Sequence, residues 1–140
     1  MSSTPNPRTD VLLHGDQTGA HVSLTEIVVP AHSTGPPLHT HAFDEAFYIL
    51  EGELLFQIQD ELETRTNGEV AFAPRDTAHA LANRTDAPAR YLLVCTPAGF
   101  ERHWARLAAQ DIGVDPPTWA QQPLPEITIV GPPIPRHEPT

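Results

Sequence analysis

Three side chains that can bind a metal lie close together in the first half of the chain. His39 and His41 are two residues apart, so on an extended strand both imidazoles leave the same face. Glu45 follows after a short gap that leaves room for a bend, which would return its carboxylate to the same point. Two imidazoles and one carboxylate form the facial ligand set of non-haem iron and related sites. The spacing therefore predicts a metal site, with His79 as a fourth candidate ligand downstream.

The charge and the composition exclude several classes of function. The chain has 140 residues, a net charge of −10 and a pI near 5.0, which argues against nucleic acid and anionic membrane surfaces as partners. All eight basic residues are arginines, so Schiff-base chemistry and lysine-bound pyridoxal phosphate are excluded. Cys95 is the single cysteine, which excludes an internal disulfide and thiolate clusters.

No apolar run approaches the roughly 20 residues of a membrane span. No signal peptide is visible, so a cytoplasmic location is expected.

Short segments with alternating or β-branched residues predict about eight strands. Pro30 ends the first of them, and the alternation of Leu54, Phe56 and Ile58 is typical of a strand buried on one face. The pair Asn67-Gly68 predicts a hairpin between its two flanking segments. The predicted strands cover residues 21–29, the histidine segment, 46–51, 53–59, 62–66, 69–73, 78–83 and 89–96.

One helix and a proline-rich tail follow the strands. Pro97 suits a first helical turn, Phe100, Trp104 and Leu107 fall on one face, and Gly113 is a plausible end. The fold class is therefore all-β, a jelly-roll barrel with one C-terminal helix. We expect one domain over residues 1–112, mobile over its first ten or so residues. Residues 113–140 are expected to form a tail that packs on the barrel or on a neighbouring subunit.

Two spaced motifs resemble those of the cupin family. The first consists of His39-Thr40-His41, Glu45 and Gly52, and the second of Gly68, Pro74, His79 and Asn83. There are two departures from the family pattern. Gly35 precedes His39 by three residues where the pattern has five, and Asp76 stands where the pattern has a glycine. Aspartate tolerates left-handed backbone better than most residues, so we expect the turn at Asp76 to survive.

The resemblance implies a metal cofactor and an oligomer. In cupins the three histidines and the glutamate typically bind one divalent metal, and all four positions match here: His39, His41, Glu45 and His79. This donor set accepts iron, nickel, manganese, cobalt, copper or zinc, so the sequence does not select among them. The chain also looks like small bacterial single-domain cupins, some of them quercetinase-like dioxygenases and others polyketide cyclases. A homodimer is expected on the same grounds.

Three functions remain open. The first is an O₂-dependent dioxygenase that acts on a small enolisable or hydroxy-carbonyl substrate, including aromatic, flavonol-like ones, bound directly to the metal, with Glu45 as the base. The second is a cyclase or isomerase that uses the metal as a Lewis acid without O₂. The third is a barrel that binds a small molecule without catalysis. The sequence names no substrate.

Side chains other than the ligands could line a substrate pocket. Aromatic residues near the ligands could stack on a substrate, and a histidine in the loop before the ligand strand could line the pocket mouth. These pocket candidates are Phe43, Phe47, Phe72 and His32. The remaining histidines stand in polar or helical contexts that favour surface or interface roles; they are His14, His21, His103 and His137.

Overall fold

The computed structural model describes residues 7–135 and contains two antiparallel sheets of five strands each. The strands are β1 Arg8–Leu13, β2 Ser23–Val29, β3 Pro37–Thr40, β4 Asp44–Glu51, β5 Glu53–Ile58, β6 Glu61–Thr66, β7 Val70–Ala73, β8 His79–Ala82, β9 Ala89–Thr96 and β10 Thr128–Pro133. The helices are α1 Gly15–Thr18 and α2 Glu101–Asp111, with a 3₁₀ turn at Thr118–Gln121. No helix in residues 7–135 is long and apolar enough to cross a membrane.

The strand order confirms the jelly-roll class. The first sheet has the order β1-β2-β9-β4-β7 and the second has the order β10-β3-β8-β5-β6. Among residues 7–135, no strand of one sheet pairs with a strand of the other. The two sheets therefore face each other as a sandwich rather than as a barrel closed by hydrogen bonds.

The space between the sheets is filled by alternate residues of each strand. On β4 the side chains of Glu45, Phe47 and Ile49 are buried, whereas Tyr48 is 41% exposed. The same alternation runs along β9, which lies in the middle of the first sheet as its apolar sequence predicts. The parity that places Phe47 and Ile49 in the core thus also places the Glu45 carboxylate there, among apolar neighbours.

The hairpin predicted at Asn67-Gly68 is wrong. β6 pairs with β5 in the second sheet, whereas β7 pairs with β4 in the first. The turn therefore carries the chain across the sandwich. Gly68 has the positive φ of a tight turn, +82°, and the Asn67 side chain accepts a hydrogen bond from Gly52 N–H. A tight turn fixes the direction of the chain, but burial of the apolar face of each strand decides its partner.

Helix α2 is fastened to the rest of the chain by a buried carboxylate. Glu101, at the start of the helix, is 1% exposed and accepts hydrogen bonds from Gly15 N–H at 2.7 Å and Gly99 N–H at 2.6 Å. Two backbone donors satisfy a charge that would otherwise be costly to bury. The helix begins at Glu101, a few residues after Pro97, and ends at Asp111, before Gly113.

Both ends of the described chain join the sheets. β1 begins at Arg8, inside the segment expected to be mobile, while residues 1–6 lie outside the described residues. After α2 the chain returns as β10, which pairs with the ligand-bearing strand β3. The ring of Trp119 stacks on His14 with centroids 4.1 Å apart. The tail up to residue 135 thus packs on its own chain.

Two glycines offer a direct test of backbone constraint. Gly35 and Gly68 both have positive φ, +67° and +82°, but a Cβ on Gly35 would clash with the carbonyl oxygen of Leu81, while one on Gly68 meets nothing. We expect Gly68→Ala to lower the free energy of unfolding by about 1–2 kcal/mol and Gly35→Ala by roughly twice that or more, because the clash adds to the strain. Equal losses in urea titrations would contradict the clash.

Candidate metal centre

Four side chains from different elements meet between the two sheets. In the second sheet, the register of β3 and β8 places His39 directly opposite His79. Glu45 projects from β4 of the first sheet, and His41 follows the last residue of β3. The fold thus closes the four candidate ligands into one group, which we call the His/Glu group: His39, His41, Glu45 and His79.

The ligand atoms of the His/Glu group are within reach of a single ion. One ligand atom from each residue lies within 4.8 Å of all the others. The Oε1 atom of Glu45 is 2.6 Å from His41 Nε2 and 2.8 Å from His79 Nε2. The two Nε2 atoms are 3.2 Å apart.

Backbone carbonyls set the orientation of all three imidazoles. The Nδ1 atom of His39 lies 2.7 Å from Pro37 O, that of His41 lies 3.0 Å from Phe43 O, and that of His79 lies 2.9 Å from Thr77 O. A carbonyl oxygen can only accept, so each Nδ1–H donates. Each Nε2 therefore presents a lone pair to the other ligands, which is the arrangement found around metals in proteins.

This arrangement requires a cation. The Nε2 atoms of His41 and His79 and the Oε1 atom of Glu45 are all acceptors in this tautomer, and they lie within 3.2 Å of one another. Buried acceptors that face each other are unfavourable unless a proton or a metal ion lies among them. Three neutral imidazoles and one carboxylate suit a divalent transition ion. The residues present therefore fit the metal that the sequence predicts.

The pKa values show the same attraction for positive charge. Burial alone would raise the pKa of Glu45, but hydrogen bonds from His41 and His79 outweigh it and hold the pKa at about 2. These bonds need a proton on the imidazole side, so they describe the group when a proton, rather than a metal ion, lies among its acceptors. Burial opposes protonation of His79 as well, yet the adjacent Glu45 carboxylate raises its pKa. For His39 burial dominates and lowers the pKa. At neutral pH Glu45 is thus ionised and His39 is neutral, the states that a ligand needs.

Neighbouring groups hold the ligands in place. The ring of Phe43 stacks on His41 at 3.6 Å between centroids. Burial, followed by the charge of Glu45, raises the pKa of Cys95, so its thiol stays protonated and faces Glu45 Oε2 at 3.9 Å. Asp76 N–H donates to His41 O at 2.8 Å, with Asp76 at φ +63°. Aspartate thus takes the left-handed conformation expected at this position of the second motif.

The His/Glu group opens into a cavity of about 400 Å³, within the range of small-molecule sites. His39, Glu45 and His79 line it, whereas His41 does not. Within the described part of the chain no arginine lines the cavity, and the whole sequence has no lysine. The first sheet contributes Ile27, Val29, Phe47, Tyr91 and Leu93; α2 and the residue before it contribute Phe100, His103, Trp104 and Leu107; and the loop before β3 contributes Ser33, Thr34, Gly35 and Pro36.

Of the four predicted pocket residues, one lines the cavity and three do not. Phe47 lines the cavity. Phe43 is buried against His41 and is not among the lining residues. Phe72 is 52% exposed on the outside of the first sheet, because Ala71 and Ala73 take the inward positions of β7. The side chain of His32 points to Asp86, 2.7 Å away, rather than to the cavity.

The structure places His103 in the cavity wall, which the sequence does not predict. His103 lines the cavity beside Phe100, Trp104 and Leu107, although its context had suggested a surface or interface role. The spacing of these four residues, at i, i+3, i+4 and i+7, places them on one helix face and is the signal that could have identified His103. His137, grouped with it in the sequence, lies outside the described residues.

Comparisons with known proteins agree with this fold and site. The model of the Cupin domain matches residues 25–95, just over half of the chain. A protein of Methanocaldococcus jannaschii described as uncharacterized is 33% identical over 88 residues, which cover 61% of this chain and 70% of that protein. No activity is attached to that relative, so it supports the family and not a reaction.

Solved structures share the fold. The polyketide cyclase RemF from Streptomyces resistomycificus is 25% identical, with a TM-score of 0.57 and 64% of each chain covered. A predicted oxalate decarboxylase from Thermotoga maritima is 22% identical, with a TM-score of 0.61 and coverage of 65% of this chain and 80% of that one. Because the Cupin domain model matches more than half of the sequence, and the jelly roll brings both motifs to one site, this chain belongs to the cupin family.

Proposed function

We propose that the protein is a metal-dependent enzyme whose substrate is a small, largely apolar, aromatic molecule held at a divalent metal through neighbouring oxygen atoms. The observation that carries this proposal is that the His/Glu group opens into a cavity walled by aromatic and aliphatic side chains. His39, His41, Glu45 and His79 would hold the metal. Such an ion would supply a Lewis acid that favours an enolate or a deprotonated hydroxyl beside a carbonyl, and a redox-active one would also supply reactivity towards O₂.

The lining of the cavity narrows the substrate class. Phe47, Phe100 and Trp104 offer aromatic faces on which a planar molecule could stack. None of the arginines in residues 7–135 lines the cavity, so this part of the chain offers no guanidinium to bind a second carboxylate. Small dicarboxylates therefore fit the cavity poorly. The oxalate decarboxylase activity predicted for the Thermotoga maritima protein is therefore not proposed for this chain, because the likeness between the two is one of fold.

The reaction that we place first is O₂-dependent oxidation of the bound substrate. An octahedral ion held by these four residues would keep roughly two positions open, enough either for two substrate oxygens or for one substrate oxygen and O₂. The apolar walls keep bulk water away from the bound anion, and a carboxylate at the base of the cavity can receive its proton. The chain thus contributes orientation, exclusion of water and a proton acceptor.

The second candidate is a cyclase or isomerase that needs no O₂. It is favoured by the likeness to the polyketide cyclase RemF, which at 25% identity is closer in sequence than the Thermotoga maritima structure. The same cavity and the same metal would serve it, with Glu45 moving a proton on an enolisable substrate. A barrel that binds the molecule without turnover is the remaining outcome. The homodimer and the cytoplasmic location stay predictions.

Glu45 has the position and the charge of the general base. It lines the cavity and is ionised at neutral pH, since the contacts with His41 and His79 hold its pKa at about 2. Its Oε1 atom faces the two imidazoles, while the contact of Oε2 within residues 7–135 is the weak one with the Cys95 thiol. One carboxylate oxygen can therefore bind the metal while the other receives a proton from the substrate.

Removal of one imidazole should abolish tight metal binding. We expect about one divalent ion per chain in the purified wild-type protein. In His79→Ala we expect the affinity for the metal to fall by a larger factor than the roughly 10- to 100-fold that is typical when a residue hydrogen-bonded to a metal ligand is removed. The matched control is His32→Ala, because His32 is remote from the group. Metal analysis by mass spectrometry checks both variants, and equal occupancy in the two would contradict the site.

Oxygen dependence separates the candidate reactions. The metal-loaded protein is mixed with 3-hydroxyflavone or with an aromatic 1,3-diketone, in air and under argon. We expect O₂ uptake in proportion to substrate consumed, and no product under argon. Product under argon would instead support the cyclase or isomerase, and binding without product would leave the non-catalytic barrel. An oxygen electrode and chromatography of the products distinguish the three.

Substitution of the proposed base should affect turnover more than metal content. Glu45→Gln keeps the shape of the side chain but removes the proton acceptor, so we expect kcat to fall by about 10²- to 10⁴-fold while much of the metal is retained. Glu63→Gln, which changes a surface carboxylate paired with Arg65, is the control. Unchanged turnover in Glu45→Gln would show that another group is the base.

A further inference from the structure

Helix α2, with the residue just before it, forms one wall of the cavity and contributes no metal ligand. The residues on this face are Phe100, His103, Trp104 and Leu107. Three of them are apolar or mainly apolar, and His103 is the polar exception. Its ring stacks on Phe100 at 5.2 Å and meets Trp104 edge-on at 4.8 Å. Phe100 also contacts Trp104, at 5.5 Å, so the three rings pack against one another in the wall of the cavity.

The ring nitrogens of His103 are not engaged within the described chain. Each imidazole of the His/Glu group has a backbone carbonyl on Nδ1, and His32 has Asp86. Among residues 7–135, the His103 side chain makes ring contacts but no hydrogen bond or ion pair. A half-buried imidazole in a cavity wall with both nitrogens unused has hydrogen-bonding capacity for a ligand.

The protonation state of His103 suits an uncharged partner. Partial burial, followed by the nearby Arg106 guanidinium, lowers its pKa. The imidazole is thus neutral at pH 7, with one N–H donor and one nitrogen acceptor. A neutral ring of this kind can bind a hydroxyl, as donor or acceptor, or a carbonyl, as donor. The carboxylate that lines this cavity belongs to Glu45, in the His/Glu group.

We propose that His103 is a second polar contact for the substrate, which hydrogen-bonds an oxygen substituent remote from the oxygens at the metal. The inference rests on the proposed function and extends it to substrate specificity. The Phe100 ring is 6.4 Å from the His41 ring and 5.2 Å from the His103 ring. Two successive ring contacts thus connect the His/Glu group to His103 through Phe100. A molecule of two or three rings could reach both.

The proposal narrows the substrate class further. The molecule carries a hydroxy-carbonyl or enolisable group at one end and a hydroxyl or carbonyl at the other, with apolar rings between them. An analogue without the remote oxygen leaves His103 unpaired inside the complex, which weakens binding by the cost of an unsatisfied polar group. His103 is then a residue that determines specificity, acting apart from the metal.

The test compares probes that differ only in the remote hydroxyl. Zinc-loaded protein is titrated under argon with 3-hydroxyflavone, 3,4′-dihydroxyflavone or 3,7-dihydroxyflavone, and binding is followed by fluorescence. The two hydroxylated probes cover both ends of the flavone. In the wild type we expect at least one of them to bind about 3- to 10-fold more tightly than 3-hydroxyflavone, the worth of one net hydrogen bond.

Two variants of His103 isolate the hydrogen bond from the stacking. His103→Phe keeps an aromatic ring beside Phe100 and Trp104 but removes the polar atoms, so the preference for the hydroxylated probe should vanish. His103→Gln should restore part of it. Leu107→Ala, on the same face, should weaken all probes by a similar factor and leave the preference intact. Zinc content and circular dichroism verify that each variant is folded and loaded.

The outcomes separate this inference from the proposed function. If 3-hydroxyflavone binds but neither added hydroxyl improves its affinity, or if the preference persists in His103→Phe, the inference is overturned and the proposed function stands. If none of the probes binds the zinc-loaded wild-type protein, the proposed substrate class fails and the inference fails with it.

Discussion

The structure depends on three hydrogen bonds between imidazole Nδ1 atoms and backbone carbonyls. They fix the tautomers of His39, His41 and His79, and so turn three Nε2 lone pairs towards the Glu45 carboxylate. Each donor is matched to a carbonyl two residues away, so the local backbone sets the ligand geometry rather than flexible side-chain packing. A buried cluster of acceptors is stable only with a cation among them. Binding of a metal ion to the His/Glu group would therefore add to the free energy of folding.

The jelly roll satisfies this constraint by bringing ligands from both of its sheets. The His39–His79 register belongs to the second sheet, while Glu45 comes from the first. A bound ion would consequently connect the two sheets, which share no strand pairing within residues 7–135. The ion pair of Arg75 with Asp44, at 3.0 Å, links β4 to the end of β7 within the first sheet and so does not connect the two sheets. Metal binding should thus stabilise the sandwich as a whole.

Much of the site could be predicted because it depends on the spacing of residues that are close together in the sequence. The spacing of His39, His41 and Glu45, and the parity that buries Glu45 with Phe47, follow from the geometry of an extended chain. The partner of a strand, by contrast, cannot be predicted from the residues next to it in the sequence. The turn at Asn67-Gly68 has the residues of a hairpin, yet the flanking strands join different sheets because their buried faces do. Phe72 was misplaced for a related reason, since only the pairing of β7 shows which of its faces points inward.

His103 illustrates a further limit on prediction from sequence. A helical period identifies the face that Phe100, His103, Trp104 and Leu107 share, but not whether that face covers a packed core or an open cavity. The distinction matters here because a polar ring in a packed core needs a partner from the protein, whereas one in a cavity wall is available to a ligand. The cavity therefore has two chemically separate walls. The sheets and the loop after β3 carry the candidate ligands, whereas the face of α2 contributes shape and, in His103, an imidazole outside the His/Glu group. Changes on the helix should therefore alter which molecule binds without altering how a metal would be held.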